Sequence, residues 1–133
     1  MKFLVTEDDY VSRHALVSLL RGYGDVDVAV DGAESLAAFR TALEEGAAYD
    51  LVFMDIIMPE MDGLEASLRI RELERLHGVA PRNEAKIIMT TGLCDPRTVF
   101  RALNRSQATD FLVKPCAADS VRATLSRVGG VAC

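Results

Sequence analysis

The chain has 133 residues, a formal net charge of -5 at pH 7 and 50% hydrophobic residues. This length suits one domain with its own core, the composition argues against disorder, and the excess of acids argues against binding to nucleic acid. No apolar run is long enough to span a membrane, and acidic residues appear too early in the chain for a signal peptide, so we expect a cytoplasmic protein. The cysteines are widely spaced and form no CxxC pair, which predicts neither disulfides nor a zinc site.

Short apolar runs alternate with longer segments that carry apolar residues at helical spacing, which predicts strands alternating with helices. The predicted strands are residues 3–6, 26–30, 51–54, 86–90 and 108–113, and the predicted helices are residues 10–21, 33–45, 64–77, 97–104 and 118–128. Strict alternation predicts right-handed crossovers and therefore a doubly wound α/β fold, a five-stranded parallel sheet with helices on both faces. We expect a single domain over residues 1–133 without an output domain, because nothing after the last helix could form a second one.

Helical spacing also predicts which residues of the first helices face the core. In the first helix these are Val11, Ala15, Leu16, Leu19 and Leu20. In the second helix they are Leu36, Ala37, Phe39 and Leu43. The third helix is predicted to expose a charged face, made of Arg69, Arg71, Glu72, Glu74 and Arg75. Asp9 directly precedes the first helix and is expected to cap it.

The carboxyl ends of parallel strands meet at one edge of a sheet, and ligands of open α/β folds bind outside that edge. The strand ends bring polar side chains there, namely Glu7, Asp8, Asp55, Thr90 and Lys114. Two carboxylates about 4 Å apart repel each other by roughly 4 kcal/mol at an effective dielectric constant of about 20, so such a cluster favours a bound cation. Oxygen ligands with room for water suit Mg²⁺. A carboxylate nucleophile at Asp55, a divalent cation, an ammonium group and a hydroxyl together indicate phosphoryl transfer.

Four stretches of the sequence, in order along the whole chain, match the motifs of a known family. They are residues 3–9 (FLVTEDD), 54–63 (MDIIMPEMDG), 87–91 (IIMTT) and 111–115 (FLVKP). With them the chain resembles the single-domain, chemotaxis-regulator-like receiver domains of two-component response regulators. The resemblance implies the flavodoxin-like strand order 2-1-3-4-5. It also implies a stand-alone signalling domain that takes a phosphoryl group from a phosphohistidine of a histidine kinase or histidine phosphotransfer protein, and that catalyses only its own phosphorylation and dephosphorylation.

The resemblance further assigns roles to residues at the strand ends. Asp55 would accept the phosphoryl group and become an aspartyl phosphate. Lys114 would pair with the acceptor and then with the phosphoryl group. Mg²⁺ would be held by the carboxylates of Glu7, Asp8 and Asp55 and by the backbone carbonyl of Ile57.

A switch is implied as well, formed by the hydroxyl of Thr90 and the aromatic ring of Phe111. Phe111 would turn inward as Thr90 moves to bond the phosphoryl oxygen. This would change the face made by the fourth helix, the fifth strand and the fifth helix for an unknown downstream protein, in a monomer or a phosphorylation-dependent dimer. Thr91 stands where the family most often has alanine and is a possible rival, although Thr90 is preferred because it continues the strand.

The sequence disfavours three other functional classes. A Mg²⁺-dependent phosphatase with an aspartyl-phosphate intermediate typically needs a second Asp two residues after the nucleophile, where this chain has Ile57. A pure interaction module with a vestigial pocket is disfavoured because the expected site residues are all present. The chain contains neither GxxxxGK[ST] nor GxGxxG, which disfavours a nucleotide-binding domain.

Overall fold

The computed structural model describes residues 1–58, 60–92 and 104–129. Its strands are β1 (Lys2–Thr6), β2 (Asp25–Ala29), β3 (Leu51–Asp55), β4 (Lys86–Thr91) and β5 (Asp110–Val113). Its helices are α1 (Tyr10–Leu20), α2 (Gly32–Glu44), α3 (Gly63–Leu76) and α4 (Ala118–Gly129), with one 3-10 turn at Pro81–Asn83. The strands form one parallel sheet in the order β2-β1-β3-β4-β5, which confirms the predicted doubly wound fold. In the described part of the chain, every helix is too short or too polar to cross a membrane.

All five strands differ by one or two residues from the predicted boundaries: β1 begins one residue earlier, and β3 and β4 each end one residue later. β2 begins and ends one residue earlier than predicted, and β5 begins at Asp110 rather than at residue 108. The chain turns just before β5, since Gln107 adopts a left-handed conformation with a φ of 57°. The predicted fourth helix, residues 97–104, lies almost wholly outside the described residues, and the residues from Asn104 to Ser106 are helical.

Aspartate caps fix where three of the helices begin. The side chains of Asp9, Asp31 and Asp62 accept hydrogen bonds from backbone N–H groups three residues further on, at 2.9, 2.8 and 2.9 Å. Each such cap contributes about 1 kcal/mol to helix stability. The prediction that Asp9 caps the first helix is confirmed. Because Asp9 and Asp62 stand at the carboxyl edge of the sheet, they also fix the chain beside the predicted site.

Two core layers lie on opposite faces of the sheet, because neighbouring residues of a strand point to opposite sides. Phe3 and Phe53 pack in the layer that includes residues of α1 and α4. Leu4 and Val52 pack in the layer that includes residues of α2 and α3. All five residues of β3 are buried, so the strand that ends in Asp55 is the centre of the fold.

Several predicted helix faces are wrong. Val11 is 73% exposed and Ala15 and Ala37 are exposed, although all three were expected in the core. Conversely, Arg71 and Glu74 are only 5% and 1% exposed, although they were expected in solvent. The spacing explains this second error, because both belong to the inner stripe of α3, which consists of Ser67, Ile70, Arg71 and Glu74. The charged side chains of Arg71 and Glu74 predict exposure to solvent, whereas their spacing along α3 predicts burial.

Candidate functional site

Three carboxylates converge at the carboxyl edge of the sheet. Glu7 and Asp8 follow β1, Asp55 is the last residue of β3, and one carboxylate oxygen of each lies within 4.8 Å of the other two. Glu7 and Asp55 are buried, whereas Asp8 is exposed. The three acids predicted as metal ligands are therefore together, with two at the base of the site and one at its mouth.

Lys114 lies between the two buried acids. Its Nζ atom is 2.5 Å from Oε2 of Glu7 and 3.2 Å from Oδ2 of Asp55. Burial lowers the pKa of Lys114, but the hydrogen bond to Glu7 and the negative charges of Asp55 and Glu7 outweigh this and raise it. The ammonium group is therefore held in its charged form. In the described part of the chain, Lys114 and Arg13, whose Nη1 donates to the carbonyl of Glu7 at 2.9 Å, are the cations beside three carboxylates, so the cluster keeps an excess of negative charge.

The electrostatics of Asp55 suit a divalent cation. Burial, and then the hydrogen bond and the charge of Glu7, raise its pKa to about 7, against the opposing effect of Lys114. An ionised Asp55 is thus poorly compensated by the protein alone. Carboxylate oxygens are the ligands that Mg²⁺ prefers, and the exposed Asp8 leaves room for the waters that Mg²⁺ usually keeps. The residues present fit such an ion.

The start of α3 rests directly on the backbone of Asp55. The N–H of Gly63 donates to the carbonyl of Ile56 at 2.8 Å, and the N–H of Ile56 donates to the carbonyl of Thr90 at 3.1 Å. A Cβ atom on Gly63 would lie 2.1 Å from the carbonyl oxygen of Asp55, so glycine is required there. The chain that leaves Asp55 therefore returns to it, and Ile57, whose carbonyl is the predicted fourth metal ligand, lies within this loop with a 64% exposed side chain.

The two threonines at the end of β4 lie on different faces of the sheet. Thr90 pairs in register with Asp55 and lines a cavity together with Glu7 and Lys114. Thr91 is the next residue along the strand, so its side chain points to the opposite face. Both are 2% exposed. The structure places Thr90 in the wall of the cavity beside Glu7 and Lys114.

Phe111 does not contact the acidic cluster. It is a partly buried residue of β5, paired in register with Met89, and it packs against the core layer of α2 and α3. The acceptor cluster lies on the other face. Any influence of Asp55 on Phe111 therefore has to pass through the sheet or around it.

A cavity of about 150 Å³, which sequence reasoning missed, adjoins the acidic cluster. Its apolar wall consists of Val11, Ala15, Leu16, Pro115 and Cys116. Val11 lies in the first turn of α1, next to Tyr10, which is 68% exposed. The sequence contains a signal for this exposure: the first turn of α1 directly follows the acidic residues after β1, so it lies beside the site and not over the core.

The response regulator receiver domain family matches residues 3–126 of this sequence. The chain belongs to this family. It is therefore a receiver domain of two-component signalling, as the strand-end motifs indicated.

Individual relatives agree with this assignment. This receiver domain is 31% identical over 129 residues to hybrid signal transduction histidine kinase L of Dictyostelium discoideum, covering 96% of this chain and 7% of that protein. It is similar to the solved chemotaxis protein CheY4 of Vibrio cholerae, with a TM-score of 0.77 and 29% identity over 96% of this chain and 97% of that chain. It is also similar to the receiver domain of the histidine kinase CKI1 from Arabidopsis thaliana, solved with Mg²⁺ and BeF3-, with a TM-score of 0.79 and 30% identity over 94% and 89% of the two chains.

Proposed function

We propose that this receiver accepts a phosphoryl group from a phosphohistidine onto Asp55 in a Mg²⁺-dependent reaction. The observation that carries the proposal is the burial of the Asp55 carboxylate among Glu7, Asp8 and Lys114. An oxygen of Asp55 would attack phosphorus while the bond from phosphorus to the histidine nitrogen breaks. The carboxylates of Glu7, Asp8 and Asp55 and the carbonyl of Ile57 would hold Mg²⁺, which neutralises charge that develops on the phosphoryl oxygens.

Lys114 would act as a fixed positive charge throughout the transfer. It lies 3.2 Å from Asp55 and its pKa is raised, so it stays protonated while the phosphoryl group arrives. The added negative charge would draw the ammonium group from the acceptor carboxylate towards the phosphoryl oxygens. No proton transfer by the side chain is needed, because catalysis of phosphoryl transfer is mostly positioning and charge neutralisation.

Thr90 is the proposed switch hydroxyl, and Phe111 the proposed switch aromatic residue. The register pair of Thr90 with Asp55, and the place of Thr90 in the cavity beside Glu7 and Lys114, support Thr90. Phe111 lies in β5 on the other face and is partly buried, so an inward turn would bury more of its ring. A downstream partner would then sense the altered face around β5.

Acceptor chemistry is tested by intact-protein mass after incubation with acetyl phosphate. We expect a gain of one phosphoryl group that requires Mg²⁺ and disappears with chelator or in Asp55→Asn. Asp25→Asn is a matched control, because Asp25 is an exposed acid at the opposite edge of the sheet. Phosphorylation of Asp55→Asn at the wild-type level would contradict the assignment of the acceptor.

The proposed donor is a histidine kinase or a histidine phosphotransfer protein. The match to a hybrid histidine kinase supports this, although the chain spans only 7% of that protein. Tyr10 and Val11 follow the acids after β1 in sequence, and Ile57 follows Asp55 by two residues; their exposed side chains suit a protein donor that seats its histidine over Asp55. The absence of an output domain and the cytoplasmic location stay predictions.

Donor docking can be separated from chemistry with Val11→Asp. The new charge would be desolvated under a docked protein, so we expect transfer from a phosphorylated histidine phosphotransfer protein to slow about ten-fold or more. Phosphorylation by acetyl phosphate should change by less than about two-fold, since this small donor needs no docking surface. Val28→Asp is the control, because Val28 is 46% exposed on the edge strand β2. Equal slowing with both donors would refute the docking role.

A further inference from the structure

The inner stripe of α3 carries a buried ion pair that the proposed phosphoryl chemistry does not use. Nη1 of Arg71 donates to Oε1 of Glu74 at 2.7 Å and to the carbonyl of Ala85 at 2.8 Å. Nε of Arg71 donates to the carbonyl of Gln107 at 3.1 Å. The second oxygen of Glu74 accepts from the N–H of Ala85 at 2.7 Å. The guanidinium group thus joins three separate parts of the chain: α3, the residue before β4 and the residues before β5.

The residues just before β5 are held by these bonds on one side. Besides Gln107, the carbonyl of Ser106 accepts a bond from the hydroxyl of Ser67 in α3 at 2.6 Å. On the other side, the N–H of Thr109 donates to the carbonyl of Ile87 at 2.7 Å, and the hydroxyl of Thr109 accepts from the N–H of Ile87 at 3.2 Å. Gln107 itself is held in a left-handed conformation, which non-glycine residues adopt rarely. Hydrogen bonds to α3 on one side and to β4 on the other therefore hold the backbone of residues 106–109, which leads into β5.

The first residue of α3, Gly63, lies against the backbone of Asp55. Gly63, the first residue of the helix, bonds to Ile56 and leaves no room for a side chain against the backbone of Asp55. A single helix of 14 residues thus connects the backbone of Asp55 with the residues that lead into β5. Phe111 lies in β5 and packs against the same core layer as the inner face of α3.

A buried ion pair is a poor source of stability, because apolar residues of similar volume often serve as well or better. Its value lies in fixing one arrangement of the groups it joins. We propose that the Arg71–Glu74 pair is a positioning device that fixes the start of β5 to α3, so that a change at Asp55 reaches Phe111 through α3. This inference rests on the proposed phosphorylation of Asp55 and deepens it.

The positioning role is tested first in the unphosphorylated protein by amide hydrogen exchange. The test variant is Arg71→Met with Glu74→Leu, which keeps the apolar volume and leaves no unpaired charge. The control is Arg69→Met with Glu65→Leu, which removes an exposed ion pair of 3.2 Å from the same helix. We expect exchange at the Thr109 amide to rise about ten-fold or more in the test variant and to stay unchanged in the control. Unchanged exchange in both would overturn the positioning role.

The transmission role is tested by repeating the exchange measurement after phosphorylation with acetyl phosphate and Mg²⁺. The test variant should still take up the phosphoryl group at a rate within about two-fold of wild type, because the acceptor cluster is untouched. The exchange change on phosphorylation over residues 106–111 should fall to less than about half of the wild-type change. A full-sized change in the variant, or none in wild type, would overturn transmission through α3.

A conservative variant guards against misfolding of the double variant. Arg71→Lys keeps the charge beside Glu74 but lacks the forked donors, so it cannot bond Glu74, Ala85 and Gln107 together. We expect it to raise exchange at Thr109 while leaving the exchange of β1 and β3 unchanged. If wild type takes up no phosphoryl group at all, the proposed function fails, and the positioning role is still decided by the exchange of the unphosphorylated variants.

Discussion

Replacing Arg71 by alanine is expected to lower the free energy of unfolding by about 3 to 5 kcal/mol. The substitution leaves the carboxylate of Glu74, which is 1% exposed, without its cationic partner. It also removes the donors to the carbonyls of Ala85 and Gln107. Burial already raises the pKa of Glu74 although Arg71 opposes this, so the unpaired carboxylate would be costly to keep ionised. Urea unfolding followed by circular dichroism measures the loss.

Arg69→Ala provides the comparison on the same helix. Arg69 bonds to Glu65 with both side chains about half exposed, and such surface pairs contribute roughly 0 to 1 kcal/mol. Arg71→Met with Glu74→Leu should be far less damaging than Arg71→Ala, because it leaves no buried charge behind. A loss below about 1 kcal/mol in Arg71→Ala would mean that Glu74 finds water or another partner, contrary to its burial.

Asp55→Asn is expected to stabilise the protein by about 1 to 2 kcal/mol at pH 8 in the absence of divalent ions. The pKa of Asp55 is raised from 3.8 to about 7, a value that already includes the attraction of Lys114, and each unit corresponds to at most about 1.4 kcal/mol. The expected gain is smaller than the full shift because water at the mouth of the site, where Asp8 is exposed, screens the charge. Because the folded protein binds this proton more tightly than the unfolded chain, the cost of ionisation is complete above pH 7 and disappears as the pH falls towards 4. Thermal unfolding at several pH values measures the gain and its decline.

Mg²⁺ should make wild type more stable to heat than Asp55→Asn, which reverses the order expected without the ion. The ion compensates the carboxylates of wild type and raises its midpoint of thermal unfolding, whereas Asp55→Asn has lost a ligand and should respond weakly. Asp25→Asn, at the opposite edge of the sheet, should respond like wild type. If metal-free Asp55→Asn unfolds at a lower temperature than wild type at pH 8, Lys114 compensates the charge of Asp55 better than the raised pKa of Asp55 indicates.

Much of the fold and of the site was predictable because short apolar runs determine where strands end. Glu7, Asp55 and Thr90 were placed at one edge from those runs alone, and the structure brings them together with Lys114. The strand order required the family resemblance in addition, because alternation of strands and helices is compatible with more than one order.

Side-chain exposure was predicted wrongly where the residue type or its spacing along a helix disagrees with what surrounds the side chain in the folded protein. Val11 has an apolar side chain at core spacing, but the first turn of α1 lies beside the site and leaves it exposed. Arg71 and Glu74 have charged side chains, but backbone groups of Ala85 and Gln107, distant in sequence, satisfy them in the interior. The spacing along α3 indicates which of its side chains face inward, but the backbone partners that make a buried charged pair possible cannot be read from neighbours along the chain.

The two edges of the sheet differ in how much change in chain length they tolerate. The segment from Gly78 to Glu84 connects α3 to the beginning of β4, at the edge away from Asp55, and its residues 81–83 are exposed. Insertions there leave the pairing of Asp55 with Thr90 intact. An insertion of one residue within β4 before Thr90 would instead turn the Thr90 side chain to the other face of the sheet and break its register pair with Asp55. Loops at the amino edge are therefore the natural place for lineages to vary in length, and for engineers to graft a reporter peptide, without disturbing the signal.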